Sequence, residues 1–221
     1  MKLTLYSGTK NASSWAMRAW LALKEQNLAF EEHVVDIRRP QRFKNLADIA
    51  AFSPPAAVPV LRVDDQVIFD SLAIMEFANE IGVHSLLPQD LLERAHARSL
   101  LAWQHAGLSN LCHRLSFESA FYPDKRALSD NERKQIHFLF GVWEKQLNES
   151  KGPYLFGDLS LTDLSFVPTV LRLFRHQPDV SSFPLVARWE NQLMQRASVQ
   201  EWLSDADQLE PVWYDDYLLS D

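Results

Sequence analysis

Cysteine and glycine are scarce in this sequence: of 221 residues, one is cysteine and six are glycine. The single cysteine, Cys112, excludes a disulfide within the chain and is typical of a protein from a reducing, cytoplasmic compartment. Cys112 lies in an apolar stretch with helical spacing, which predicts a small core residue. The few glycines form no phosphate-binding loop, and the seven histidines show no metal-ligand spacing, so no metal site is predicted.

Positive charge and long apolar runs are also scarce. Twenty-two basic residues stand against 29 acidic ones, a net charge of −7, which argues against binding to nucleic acid or an anionic membrane. No apolar run approaches the length of a membrane span, and the first residues lack the apolar core of a signal peptide. One local group of basic residues either forms a solvated face or attracts an acidic substrate: Arg38, Arg39, Arg42 and Lys44.

The pattern of apolar residues divides the chain into two halves. The first half alternates strand and helix signals in the order βαβαββα, and Gly82 ends its last helix. The second half contains only helical patterns, at residues 91–117, 131–147, 161–175, 185–196 and 199–203. The sequence therefore predicts an α/β domain over residues 1–82, a linker over 83–90 and an all-helical domain over 91–221.

The most informative local feature is a proline inside the apolar run Ala57-Val58-Pro59-Val60-Leu61. Proline cannot donate to a sheet, so central strands avoid it. A cis Val58–Pro59 bond resolves the conflict by placing a corner before the strand. That corner would leave the backbone of Val58 able to pair with an extended peptide.

The βαβαββα order with a proline before the third strand resembles the thioredoxin fold. Thioredoxin-like redox chemistry needs Cys-x-x-Cys at the first helix, where this chain has Asn11, Ser13 and Ser14 instead. A serine there can cap the helix, or its hydroxyl can donate to a thiolate brought in by a ligand. One charge-assisted hydrogen bond supplies roughly 1.5–3 kcal/mol, and one pKa unit corresponds to about 1.4 kcal/mol. A single serine could therefore lower the pKa of a bound thiol appreciably.

Taken together, these motifs and the helical second half resemble a cytosolic glutathione S-transferase over essentially the whole chain. The string from Ser13 to Leu23 is similar to serine-type bacterial members and to the zeta and tau groups. The resemblance implies a serine that activates the sulfur of glutathione. Ser13 aligns best with that serine by its spacing to Arg18, and Ser14 and Asn11 are the alternatives.

The same resemblance implies how glutathione is held. Val58, before the cis Pro59, would pair its backbone with the cysteinyl part. Ser71, at the start of a helix, would bind the γ-glutamyl carboxylate, and Asp70 would face the γ-glutamyl ammonium. For Asp70 and Ser71 taken alone, a plain helix cap is the alternative.

The glycine end of glutathione lacks an obvious partner. Several serine-type members have Lys or Gln just before the Val-Pro pair, and this chain has Ala57. Either Arg42, Lys44 or Lys10 supplies the positive charge, or glutathione binds less tightly.

Two further groups of residues lie in the helical half. Ser160 and Asp163 form a Ser-x-x-Asp capping box, to which the resemblance assigns a role in folding. The acceptor substrate is expected between the two halves. Residues around the first long helix either line its pocket or belong to the core: Trp103, His105, Leu108, Phe117 and Phe121.

The resemblance implies a homodimeric transferase that joins the glutathione thiolate to a small electrophile, with glutathione as co-substrate. The composition predicts a cytoplasmic protein without nucleic acid or membrane partners. The alternatives on the same site are a zeta-like cis–trans isomerase and a glutathione peroxidase or reductase. A non-catalytic interaction protein of the same fold is the alternative from another class.

Overall fold

The computed structural model describes residues 1–213 and Tyr217, except for the side chain of Ser109. Its N-terminal half is a four-stranded sheet in the order β2-β1-β3-β4, in which β1 and β2 are parallel and the other pairs antiparallel. The strands and helices follow the predicted βαβαββα order: β1 Leu3–Gly8, α1 Ser14–Glu25, β2 Glu31–Val35, α2 Arg42–Ala50, β3 Val60–Val63, β4 Gln66–Phe69 and α3 Ser71–Ile81. The predicted thioredoxin-like fold is confirmed.

The second half is helical, as predicted. Its α-helices are α4 Leu91–Ala102, α5 Ser109–Arg114, α6 Asp130–Glu149, α7 Leu161–Phe174, α8 Pro184–Met194 and α9 Ala197–Ala206. Helix α7 is buried from Leu161 to Leu173, so it forms the centre of this half. No helix in the described part of the chain is both long and apolar enough to cross a membrane.

The first long helix differs from its prediction. A single helical periodicity over residues 91–117 becomes α4, a π-helical turn over Trp103–Gly107, and the short α5. A Cβ on Gly107 would lie 2.4 Å from Cδ1 of Trp103, so only a glycine lets the indole pack against this turn. Helical periodicity alone does not reveal such a change of winding, because the apolar spacing changes little.

Gly82 follows the last residue of α3, as predicted, but for a different reason. Its φ is −75°, outside the left-handed region that favours glycine at helix ends. A Cβ there would lie 2.1 Å from Cδ of Gln26, whose amide donates to the carbonyl of His84 at 2.7 Å. Gly82 therefore permits a close approach between α1 and the chain that leaves α3.

The predicted capping box at the start of α7 is present and fully buried. The Ser160 hydroxyl accepts from the N–H of Asp163, and the Asp163 carboxylate accepts from the N–H and the hydroxyl of Ser160. The same carboxylate accepts from the N–H of Leu155 at 3.0 Å and from the indole of Trp189 at 2.9 Å. Asp163 thus joins α7 to the preceding loop and to α8, in agreement with a role in folding.

Candidate functional site

A cavity of about 1310 Å³ lies between the sheet half and the helical half. The sheet half contributes the start of α1, the loop that precedes α2 and the residues before Pro59. The helical half contributes the turn after α4, α5, the loop that follows it, and one side of α6 and α7. Residues 210–213, near the C-terminus, complete the wall.

The Val58–Pro59 peptide bond is cis, as predicted. Val58 and Ala57 both line the cavity, immediately before β3. Among the described residues, none forms a backbone hydrogen bond with Val58. Its N–H and C=O can therefore pair with an extended ligand, as the sequence predicts.

Ser13 lies at the N-terminus of α1 and lines the same cavity. It is 3% exposed, and its Oγ accepts from the N–H of Ala16 at 3.3 Å. A hydroxyl that accepts one hydrogen bond keeps its own proton for donation. Helix capping and donation to a ligand sulfur are therefore compatible at Ser13. Ser14, the first residue of α1, also lines the cavity.

Asn11, the third candidate for the sulfur contact, lies elsewhere. It is fully buried, and its amide nitrogen donates to the carbonyls of Glu210 at 2.9 Å and Leu209 at 3.4 Å. It is not among the residues that line the cavity. Asn11 thus ties the loop after β1 to the C-terminal segment.

Gly8 is a residue that the sequence reasoning missed. A Cβ built on it would lie 2.7 Å from Cβ of Ser13 and 3.0 Å from Cγ2 of Val58. Both residues therefore reach the cavity only because the end of β1 carries no side chain. The one available signal in the sequence was a glycine that ends a strand just before the serine pair.

We expect Gly8→Ala to lower the glutathione-dependent rate by about 10- to 100-fold, because the added methyl displaces Ser13 or Val58 by a fraction of an ångström or more. Steady-state kinetics with glutathione as the varied substrate would measure this. Gly141→Ala is the matched control, since a Cβ there meets nothing within 4 Å in the exposed face of α6. A fully active Gly8→Ala protein would contradict the expected displacement.

Asp70 and Ser71 begin α3 beside the cavity but do not line it. Asp70 caps the helix by accepting from the N–H of Leu72 at 2.8 Å, in a left-handed conformation with φ of +76°. Its other oxygen lies 3.3 Å from Nε2 of His105, which does line the cavity. The Ser71 hydroxyl is buried and has no hydrogen-bond partner in the described part of the chain. The plain cap is therefore present at Asp70, while the hydroxyl of Ser71 is left for a ligand.

The three cations proposed for the glycine end of glutathione have different surroundings. Arg42 is exposed and lines the cavity, whereas Lys44 is exposed and does not. Lys10 is buried: its ammonium lies 3.0 Å from the Glu32 carboxylate and over the ring of Trp202. Because its charge is already paired away from the cavity, Lys10 is unsuited to this role.

Four of the five residues expected around the acceptor either line the cavity or pack against its wall. His105, Leu108 and Phe117 line it, and Phe121 packs on Phe117 with ring centroids 5.3 Å apart. Trp103 is the exception, since it faces Phe138 of α6 on the other side of the π-helical turn and belongs to the packing. The altered winding of this turn decides which side chains reach the cavity.

Cys112 also differs from its prediction. It is partly buried and packs against the core, and it also lines the cavity. Two arginines that the sequence reasoning left without a role, Arg18 and Arg172, lie near it. Arg172 carried a signal in the sequence, because it is a charged residue in the mostly apolar stretch from Phe166 to Phe174.

The fold and the cavity define a class of protein: a thioredoxin-like domain joined to a helical domain, with a ligand cleft between them. Two family models match the chain, the glutathione S-transferase N-terminal domain over residues 12–81 and the C-terminal domain over residues 112–206. A probable maleylacetoacetate isomerase of Caenorhabditis elegans is 34% identical over 191 residues, 85% of this chain and 86% of that protein. The chain belongs to the glutathione S-transferase family.

Other relatives agree with this family. Glutathione S-transferase GstB of Escherichia coli is 28% identical over 200 residues, 87% of this chain and 94% of its own. A crystal structure of a Burkholderia glutathione transferase homolog with bound glutathione has 27% identity and a TM-score of 0.70, and covers 95% of this chain and all of that one. Glutathione transferase F2 of Populus trichocarpa, at 21% identity and a TM-score of 0.74, shows the same fold over 92% of this chain and 98% of its own.

Proposed function

We propose that this protein is a glutathione transferase that joins the glutathione thiolate to a small electrophile in the cleft. The observation that carries the proposal is the meeting of Ser13 and Val58 in one cavity, with the Ser13 proton and the Val58 backbone both available. The first can donate to a sulfur, and the second can pair with the peptide that bears it.

Glutathione would lie extended along the residues that precede β3. Val58 would pair with its cysteinyl part, and the buried hydroxyl of Ser71, together with the N–H groups at the start of α3, would donate to its γ-glutamyl carboxylate. Of Arg42, Lys44 and Lys10, Arg42 alone lines the cavity, and it would bind the glycine carboxylate. This arrangement leaves the side of the cavity formed by α5 and α7 for the acceptor.

In the proposed reaction, the Ser13 hydroxyl donates to the glutathione sulfur and favours the thiolate over the thiol. The thiol proton leaves to solvent, and the thiolate attacks the electrophilic carbon of the acceptor. A new carbon–sulfur bond forms, and the leaving group departs with its electron pair. Each tenfold increase in the ratio of thiolate to thiol requires about 1.4 kcal/mol, so one such hydrogen bond raises the thiolate fraction of bound glutathione substantially at neutral pH.

A second candidate is a glutathione-dependent cis–trans isomerase. The observation in its favour is that relatives from Caenorhabditis elegans and mouse are named maleylacetoacetate isomerases. Such a reaction uses the same thiolate, which adds reversibly to a double bond and leaves again, so glutathione is not consumed. From the family we also propose that the protein is a homodimer and that it lies in the cytoplasm.

The test is a titration of the purified protein with glutathione, followed by the ultraviolet absorbance of the thiolate as a function of pH. We expect saturable binding and a bound thiol that ionises at lower pH than free glutathione. Incubation with chloronitrobenzene and with a cis-enone then separates the activities, because conjugation consumes glutathione and isomerisation does not. A protein that fails to bind glutathione would instead be a non-catalytic member of the fold.

A further inference from the structure

The cavity is strongly basic, although the protein as a whole is acidic. Six arginines line it, against two glutamates, in a chain whose net charge is −7. Some of this charge suits glutathione, which carries two carboxylates. Two of the arginines, Arg18 and Arg172, lie deeper and are both 3% exposed.

The buried Arg18 guanidinium has no hydrogen-bond or ion-pair partner among the described residues. Its Nε and Nη1 atoms are inaccessible and make no hydrogen bond, and no carboxylate in the described residues forms an ion pair with it. Its guanidinium lies over the ring of Trp15, with Cζ 4.3 Å from the ring centroid. Burial lowers the pKa of Arg18 to about 9; the positive charge of Arg172 acts in the same direction, and the negative charge of Asp70 opposes it. Such a group is costly to bury unless something in the cavity pairs with it.

Arg172 projects from α7 toward the same part of the cavity and is held firmly. Its Nε donates to the carbonyl of Pro168 at 3.2 Å, and its Nη1 donates to the carbonyls of Cys112 at 3.0 Å and Leu115 at 3.3 Å. Its Nη2 makes no hydrogen bond to any described residue. The backbone carbonyls thus fix the orientation of the guanidinium, and one edge remains available.

These two guanidiniums come from different halves of the protein, α1 and α7, and line the same cavity. Arg172 lies over the ring of Phe117, with Cζ 5.7 Å from the centroid, and Phe117 is a predicted acceptor contact. Val58, where glutathione would pair, lines the cavity from the sheet half. Glu118 also lines this region without forming an ion pair with Arg172; burial raises its pKa, and the charge of Arg172 opposes that shift.

We propose that Arg18 and Arg172 together bind a carboxylate of the acceptor, so that this protein selects anionic electrophiles. The inference rests on the proposed function, since it names the substrate class of the same cleft. Two guanidiniums that converge on one carboxylate give charge-assisted hydrogen bonds in a site shielded from water. The planar group of a carboxylic acid, with two oxygens, matches this pair of donors.

The test compares 4-chloro-3-nitrobenzoate with its methyl ester, which differ in the negative charge. In both, the glutathione sulfur bonds to the ring carbon, chloride leaves with its electron pair, and the thiol proton goes to solvent. The kcat/KM of each is divided by its uncatalysed rate with glutathione. We expect the wild type to favour the acid, and Arg18→Met to lower the value for the acid by about 10- to 100-fold while the ester changes less than about threefold.

Two further variants keep the test decisive. Arg18→Lys retains the charge and should keep part of the preference for the acid. Arg98→Gln removes a surface arginine that pairs with Glu76 and should leave kcat/KM unchanged for both substrates. Arg18→Met should also melt about 2–4 °C higher than the wild type, because it removes an unpaired buried charge.

Three outcomes would overturn the inference while the proposed function stands. An equal loss of kcat/KM for the acid and the ester in Arg18→Met would show that Arg18 acts on the reaction that both substrates share. A raised pKa of the bound glutathione thiol in that variant would show that Arg18 acts on the sulfur. Weaker binding of glutathione alone would show that the arginines hold a carboxylate of glutathione. Failure of the wild type to bind glutathione, by contrast, would refute the proposed function itself.

Discussion

Ser13→Ala raises the pKa of the bound glutathione thiol by roughly one to two units, and conjugation at neutral pH falls about 10- to 100-fold. This expected result follows from the loss of the one hydroxyl proton that the helix cap leaves unused. The affinity for glutathione should change less than about threefold, because its backbone and carboxylate partners are untouched. The measurements are thiolate absorbance against pH and kcat as a function of pH.

The structural role of Ser13 sets the control for this experiment. Loss of the cap to Ala16 costs about 1 kcal/mol of stability, so activity is measured well below the melting temperature. Ser14→Ala is the matched variant, one residue further along the same helix and also in the cavity wall. If Ser14→Ala raises the thiol pKa and Ser13→Ala does not, Ser14 contacts the sulfur. If neither does, the protein activates glutathione without a serine.

Asp163→Ala destabilises the fold by about 3–5 kcal/mol, the second large effect that we expect. The carboxylate is fully buried and serves three N–H donors from three elements: those of Leu155, Ser160 and the Trp189 indole. Removing it leaves all three without acceptors, and unpaired buried donors are costly. Denaturant unfolding followed by far-ultraviolet circular dichroism measures the loss.

Ser160→Ala is the matched control for Asp163, because it removes the other side chain of the same capping box. It should cost only about 1 kcal/mol, since the Asp163 carboxylate keeps its remaining donors. Similar losses for the two variants would mean that the box acts only as a helix cap, without joining α7 to α8 and the preceding loop. Under either result, glutathione binding by the folded fraction should remain unchanged.

The order of elements could be predicted from the sequence because it depends on short-range signals. Alternating and helical periodicity located the strands and helices, and a proline within an apolar run predicted the cis bond before β3. The Ser-x-x-Asp box was likewise readable, because the residues that form a helix cap are close in sequence. The family resemblance then gave the candidate residues for glutathione.

The acceptor side could not be predicted in this way. Whether Trp103 or His105 reaches the cavity depends on a π-helical turn, and a one-residue change in winding rotates every following side chain. Cys112 has apolar neighbours in sequence and yet lies in the cavity wall, because α5 is short and presents that face to the cleft. Gly8 matters only through its distance from Ser13 and Val58.

By itself, the sequence determined the two-part fold, the cis corner at Val58 and the serine at the head of α1, since each depends on residues close together along the chain. Only the tertiary structure decided which groups share the cavity. Asn11 is held by a backbone carbonyl, Lys10 by the Glu32 carboxylate, and Trp103 packs on Phe138; none of the three lines the cavity. The tertiary structure placed the buried Arg18 of α1 and Arg172 of α7, which are 154 residues apart in the sequence, in the wall of the same cavity. Contacts between distant residues are fixed by the packing of whole elements, and no local pattern encodes them.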